Sequence, residues 1–262
     1  GIQNSGTSQF TTVLNGTGNT ANGNFMLIGS GILNKNFTAS SIFTTILNGS
    51  GNTISSKNSG SFIQTSSYAS IFGGLHGHVL YNFATIINGK NNYAHGLYSF
   101  VCNGYRNYTN SISASHTATT VINGVRNSAK RNYATIVNGF YNRITSNFGF
   151  IGNGIFNFVV SEGMYNSILN GSGNTVQGGY NNNIISGYKN KILGTSIRYN
   201  SIINGKLHQI NNGITGSTII GGNSITATTS NTMYGDFVNF RSLTGNVTQM
   251  VVSSSDGSLL TT

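Results

Sequence analysis

One phrase returns along almost the whole chain. It reads FTTVLNGTGNT from Phe10, FTTILNGSGNTI from Phe43, FATIINGKNNYA from Phe83, YSFVCNGYRNYT from Tyr98, ATTVINGVRNSA from Ala118, YATIVNGFYNRI from Tyr133, FGFIGNGIFNFV from Phe148, YNSILNGSGNTV from Tyr165 and YNSIINGKLHQI from Tyr199. Weaker copies start at Met26, Ser70, Asn183 and Ser217. The frame is aromatic, small, Thr or Ser, β-branched, apolar, Asn, Gly, two variable residues, Asn, one variable residue, apolar. From Asn88 to Asn103, and from Asn123 through Asn138 to Asn153, the step is 15 residues, and insertions lengthen it elsewhere. A short period of this kind restricts the chain to architectures in which each copy packs only on its neighbours.

The unit can be read position by position. In Ala134-Thr135-Ile136-Val137 the β-branched side chains restrict χ1 and favour an extended, pleated backbone, so this is a strand. Asn138-Gly139 follows, and these residue types accept positive φ most readily, so the chain turns; Asn88-Gly89 and Asn123-Gly124 are the same structural turn. Tyr141-Asn142-Arg143-Ile144 then reads as a second short strand. A coil of two strands and two turns is too small to bury its own apolar face, and stacking the coils solves that. The expected fold is all-β: a parallel β-solenoid, or β-roll, of about thirteen short coils, roughly 60 Å long at the ~4.8 Å strand spacing. Equivalent residues should then form columns, among them an Asn ladder through Asn92, Asn107, Asn127, Asn142 and Asn157. The repeat predicts a lead-in over 1–9, the solenoid over 10–229 and a connector over 230–262.

Composition agrees. The 262 residues include 36 Gly, no Pro, no Trp and one Cys, and 13 Lys plus Arg face 3 acidic residues for a net charge of +10. Only 6% of the chain is charged, yet 11% is aromatic, which excludes both an average globular enzyme and a disordered polyelectrolyte. The absence of Pro suits a ladder in which every coil is interior. No apolar run approaches the roughly 18 to 20 residues that span a bilayer, so no membrane insertion is expected. Side-chain alternation places Tyr133, Thr135 and Val137 on one face and Ala134 with Ile136 on the other. Both faces are apolar, and the same holds at Ile86/Ile87, Val121/Ile122 and Ile202/Ile203, so one should fill the coil and the other meet a second chain. A homotrimer about a long axis is the simplest closure for a fibre.

The units YATIVNG, FATIINGKNNYA and YNSIINGK resemble the head repeats of YadA-like trimeric autotransporter adhesins, and more closely the Asn/Gly-rich β-solenoid repeats of viral fibres, notably bacteriophage tail fibres. The resemblance covers about Phe10 to Ile225. It implies a trimeric, left-handed parallel β-roll acting in attachment, on a virion or an extracellular cell surface. The segment from Ser230 resembles the connector that follows such repeats in phage fibres, which tilts the expectation from bacterial adhesin toward viral tail fibre.

Little in the sequence points to catalysis. Glycoside hydrolysis needs two carboxyls about 5 to 10 Å apart, and Glu162 stands alone in the repeat region, with Asp236 and Asp256 beyond it. No Ser-His-Asp motif is present, and Gly171-Ser172-Gly173 lacks the lysine of a phosphate loop. A glycan depolymerase and an ice-binding solenoid are therefore remote alternatives; the Thr column through Thr85, Thr120 and Thr135 is interrupted by Phe100 and Phe150. His76 and His78 form a His-x-His pair that suits a metal in a trimer axis, but they match Arg106, Arg126, Arg143 and Lys191 in the frame and so should face outward. No cofactor is expected. Cys102 shares a column with Leu14, Leu47, Ile87, Ile122 and Val137 and reads as a buried small apolar residue. The basic residues Lys90, Arg106, Arg126, Lys130, Arg131, Arg143, Lys189, Lys191 and Lys206 lie in or just after the segment following the Asn-Gly turn. Stacked, they would form a positive stripe, interleaved with Tyr105, Tyr141, Tyr180 and Tyr188, suited to an anionic host-surface polysaccharide. No nucleic-acid recognition motif accompanies the charge.

Overall fold

The computed structural model describes residues 2–59, 62–64, 66–110, 118–160, 162–235, 251–253 and 259–261. They form a parallel β-solenoid of about thirteen turns with no helix. Each coil has two strands. In one coil the A strand is Thr85–Ile86 and the B strand is Tyr93–His95. A strands pair only with A strands and B strands with B strands, always in parallel: Thr85 lies between Ser70 and Phe100, and Tyr93 between His78 and Tyr108. Between the strands a single bridge residue continues the ladder around the Asn-Gly turn, through Leu75, Lys90, Tyr105, Val125, Phe140 and Ile155. The stack already includes Ile2 and Ser5–Gly6 and runs to Met233–Tyr234. Most of the proposed 230–262 connector lies outside the described residues; beyond Tyr234 they show one antiparallel pair, Val251–Ser253 with Leu259–Thr261.

The pleat decides what is inside. From the A strands, Ile71, Ile86, Val101, Val121, Ile136, Ile151, Ile168, Ile184, Ile202 and Ile219 are buried to within 1%. From the B strands, Val79, Ala94, Ala129, Ile144, Val159, Val176, Ile192 and Ile210 are buried as completely. These two columns face each other across the thin coil. Apolar burial therefore comes from stacking, since no single coil could enclose its own residues.

The asparagine ladder closes the coil at the turn. The backbone N–H of Asn142 donates to Oδ1 of Asn127 (3.0 Å), and Oδ1 of Asn142 accepts from the N–H of Asn157 (3.0 Å). Its Nδ2 donates to the Asn138 carbonyl of its own turn (3.1 Å) and to the Gly154 carbonyl of the next coil (2.9 Å). The buried amide is thus satisfied within its own column and turn. The same pattern links Asn92, Asn107, Asn127, Asn142, Asn157, Asn174 and Asn190. His208 takes the next rung: its N–H donates to Asn190 Oδ1 (2.9 Å) and its Nδ1 accepts from the Ile225 N–H (3.1 Å). Accepting there places the ring proton on Nε2.

Two features lie outside the sequence reading. The aromatic that opens each unit occupies the second turn in the left-handed region, for example Phe83 at φ 55°, Tyr133 at 55° and Tyr165 at 57°. In addition, from Gly163 onward the coil becomes two similar halves, with Gly163, Gly171, Gly179 and Gly187 eight residues apart. Each half reads Gly, two variable residues, Asn, one variable residue, Ile or Val. A second buried asparagine ladder, Asn166, Asn182 and Asn200, rises at the opposite turn and passes to Ser217.

Candidate contact surfaces

The outer face of the A strands carries three parallel columns. The first is aromatic: Phe10, Phe25, Phe43, Tyr68, Phe83 and Tyr98 stack with ring centroids 4.8–5.5 Å apart, and Tyr133, Phe148 and Tyr165 at 4.7–4.9 Å. The second is mostly Thr or Ser, the third aliphatic. In the single chain this face is open: Tyr133 is 52% exposed, Leu169 50% and Ile122 39%. Cys102 stands in the aliphatic column and is half-buried, which corrects the expectation of a buried thiol, because that column points away from the core. None of the described lysines or arginines lies in the three columns.

The aromatic stack breaks at Ala118, which has the same left-handed backbone (φ 55°) as the rings on either side. Filling the gap should therefore need no backbone change. An Ala118→Tyr chain is expected to be more stable by about 1 to 2 kcal/mol through two new ring contacts, read as a rise in the thermal midpoint; a fall would show that the stack contributes nothing.

The cations occupy the turn and the B-strand face. Arg106, Arg126 and Lys189 sit at one left-handed corner, with φ of 52–56°, and His76 shares that column at 53°. Lys90 and Lys206 lie in the adjacent bridge column. Arg143 and Lys191 point outward from the B strands, in register with His78, Tyr93, Tyr108, Ser128, Phe158 and Thr175. Lys130 follows the B strand Ser128–Ala129, and Arg131 belongs to the opposite turn. The nine expected residues thus occupy several columns, eight of them along one side and Arg131 at the other end of the coil.

Tyrosines accompany these cations. Arg106 lies over Tyr105 (5.0 Å), Arg126 over Tyr141 (5.0 Å), Lys130 over Tyr108 (5.7 Å) and Lys189 over Tyr188 (4.9 Å); Tyr180, expected in the same stripe, lies instead at the opposite turn, where Arg198 covers it (5.4 Å), because its coil has a second bridge column there. Arg126 also donates to the Tyr141 hydroxyl. Burial, and then the positive charge of Arg143, lower the pKa of Lys130.

His76 is exposed at its corner. His78 instead turns along the B face, where its ring nitrogens meet Ser55 Oγ (3.0 Å) and His95 Nε2 (2.7 Å). Burial lowers the pKa of His78 and favours the neutral ring. Among the described residues no group of three or more His, Cys, Asp or Glu gathers to hold a metal.

Asn88-Gly89, Asn123-Gly124 and Asn138-Gly139 form the turns as expected, with glycine φ of 98–110°. Columns of Phe and Tyr follow from the stacking of the repeat, but the sequence reading missed their left-handed backbone and the second asparagine ladder; the eight-residue glycine spacing was the available signal for the latter. No protein-family model matches the chain, and a search of curated proteins finds no match.

Proposed function

We propose that the chain is a non-enzymatic shaft or head segment of an attachment fibre, on a virion or an extracellular surface, in which three copies pack through their A faces. The observation that supports it is the division of one rod into two unlike sides: an A face of stacked rings, threonines and aliphatics without cations, and a B side rich in arginine, lysine and tyrosine. The A face, on the order of 60 Å by 16 Å, offers roughly 1,000 Å² per chain, comparable to the ~800 Å² that each partner contributes to a stable interface. Closure about the rod axis leaves the cationic sides outward, where they focus polyanions. Host-surface anionic polysaccharide is the proposed partner, and tyrosine rings beside the cations offer platforms for sugar rings.

Light scattering is expected to give the mass of three chains. Ile122→Lys with Val137→Lys places charges in the contact and should yield single chains. Retention on an immobilised anionic polysaccharide should fall about tenfold or more between low and physiological salt, and should drop similarly in an Arg106→Ala, Arg126→Ala, Lys189→Ala chain. A single-chain mass for the parent protein would overturn the assembly, and retention unaffected by salt would overturn the partner.

A further inference from the structure

The turn that joins the B strands to the bridge column at the opposite end of the coil changes length from coil to coil. Val159, Val176 and Ile192 lie above one another, as do the bridge residues Met164, Tyr180 and Arg198. The connection between these columns is shorter in the middle coil, Val176 to Tyr180, than in the coils on either side, Val159 to Met164 and Ile192 to Arg198. The middle turn is Gly178-Gly179. The result is a notch of about 170 Å³ lined by Glu162, Gly163, Gly178, Gly179, Tyr180 and Thr195.

The glycines cannot be replaced without moving the stack, since a Cβ on Gly179 would lie 2.2 Å from the Ile197 carbonyl and one on Gly163 2.1 Å from that of Gly179. The notch is thus fixed by backbone. Its polar side chains are exposed and open to a ligand. On a chain of net charge +10, the Glu162 carboxylate has no hydrogen bond or ion pair among the described residues, and neither the Thr195 nor the Tyr180 hydroxyl has a partner among them. Glu162 is also the only acidic residue among those described.

We propose that this notch binds one neutral hexose or N-acetylhexosamine ring, as a sugar subsite distinct from the cationic side. A carboxylate accepts two sugar hydroxyls and favours them over anionic sugars, which it repels. The face of Tyr180 away from Arg198 supplies an apolar surface for the C–H face of the ring, and its hydroxyl with that of Thr195 can donate or accept. A concave site with an aromatic wall and a few convergent polar groups is the usual form of a small-ligand pocket. The biological identity of this sugar as part of a host glycan rests on the attachment reading; the pocket chemistry does not.

The test is saturation-transfer NMR and titration of the full chain with free glucose, galactose, mannose, N-acetylglucosamine and N-acetylgalactosamine. At least one should bind saturably with Kd near about 1 mM. Glu162→Gln, which keeps the shape, should weaken it about tenfold, and Tyr180→Ala should abolish it, while Gln9→Ala, an exposed position in the first coils of the rod, leaves it unchanged. Absence of saturable binding across the five sugars, or binding that survives both Glu162→Gln and Tyr180→Ala, overturns the proposal. Sugar binding that depends on Glu162 in a chain not retained by any polysaccharide or cell would uphold the subsite and sink the attachment reading.

Discussion

Gly139→Ala is expected to destabilise the chain by about 3 to 5 kcal/mol, in the upper range for one methyl group. Two costs combine. The backbone at Gly139 has φ 110°, where an L side chain is strained by about 1 to 3 kcal/mol. The new Cβ would also lie 2.2 Å from the Gly154 carbonyl oxygen. That oxygen cannot retreat freely, because it accepts both the Phe140 N–H (3.0 Å) and the Asn142 Nδ2 (2.9 Å). Gly213→Ala separates the costs: its φ is 85° but nothing lies within 4 Å of the added Cβ, so only the strain should appear, about 1 to 3 kcal/mol. Urea unfolding of both variants reads the difference, and equal losses would show that stacking distance plays no part.

Asn142→Ala should cost about 3 to 4 kcal/mol. The substitution deletes three heavy atoms and with them three hydrogen bonds, and it leaves the Asn157 N–H without its acceptor inside a fully buried column. Each buried group stranded this way costs about 1 to 3 kcal/mol. Asn142→Asp distinguishes ladder from packing, since it keeps the shape and the acceptor while placing a carboxyl against two carbonyl oxygens, so it should be at least as damaging. The chain contains its own partial version of this experiment at Gly77, whose N–H donates to Asn52 Oδ1 (2.8 Å) but which has no side-chain amide to continue the ladder. A loss below about 1 kcal/mol in Asn142→Ala would mean that the column follows the fold without supporting it.

Much of this architecture is legible in the sequence because each coil repeats the same physical problem. Ile136 and Ile151 take the inward place for the reason that Ile86 does, and the Asn at the second strand recurs because one rung makes the next possible. The contact surfaces are less legible. The aromatics defied the rules for single residues: a bulky ring such as Phe83 is a poor choice at positive φ, and its place makes sense only once the neighbouring rings lie at stacking distance above and below. The second asparagine ladder was hidden because Ala84, Ala134 and Gly149 hold the same column that Asn166, Asn182 and Asn200 hold later, so the repeat changes its inner residue without changing its path. Cys102 was assigned to the interior because its column is aliphatic, but in a rod this thin an aliphatic column faces outward as readily as inward. The basic residues spread over several columns, and Arg131 lies at the opposite turn, because which residues follow the Asn-Gly turn differs from coil to coil.

Thr53 lies directly against His78 although 25 positions separate them, whereas most neighbouring coils are 15 to 18 apart. The surplus includes an antiparallel hairpin, Lys57–Ser59 with Phe62–Gln64, and the rungs on either side keep their alignment. Length added at such a corner carries no mechanical load. A lineage of such rods can therefore vary the ornaments along its flank while inheriting an unchanged spine.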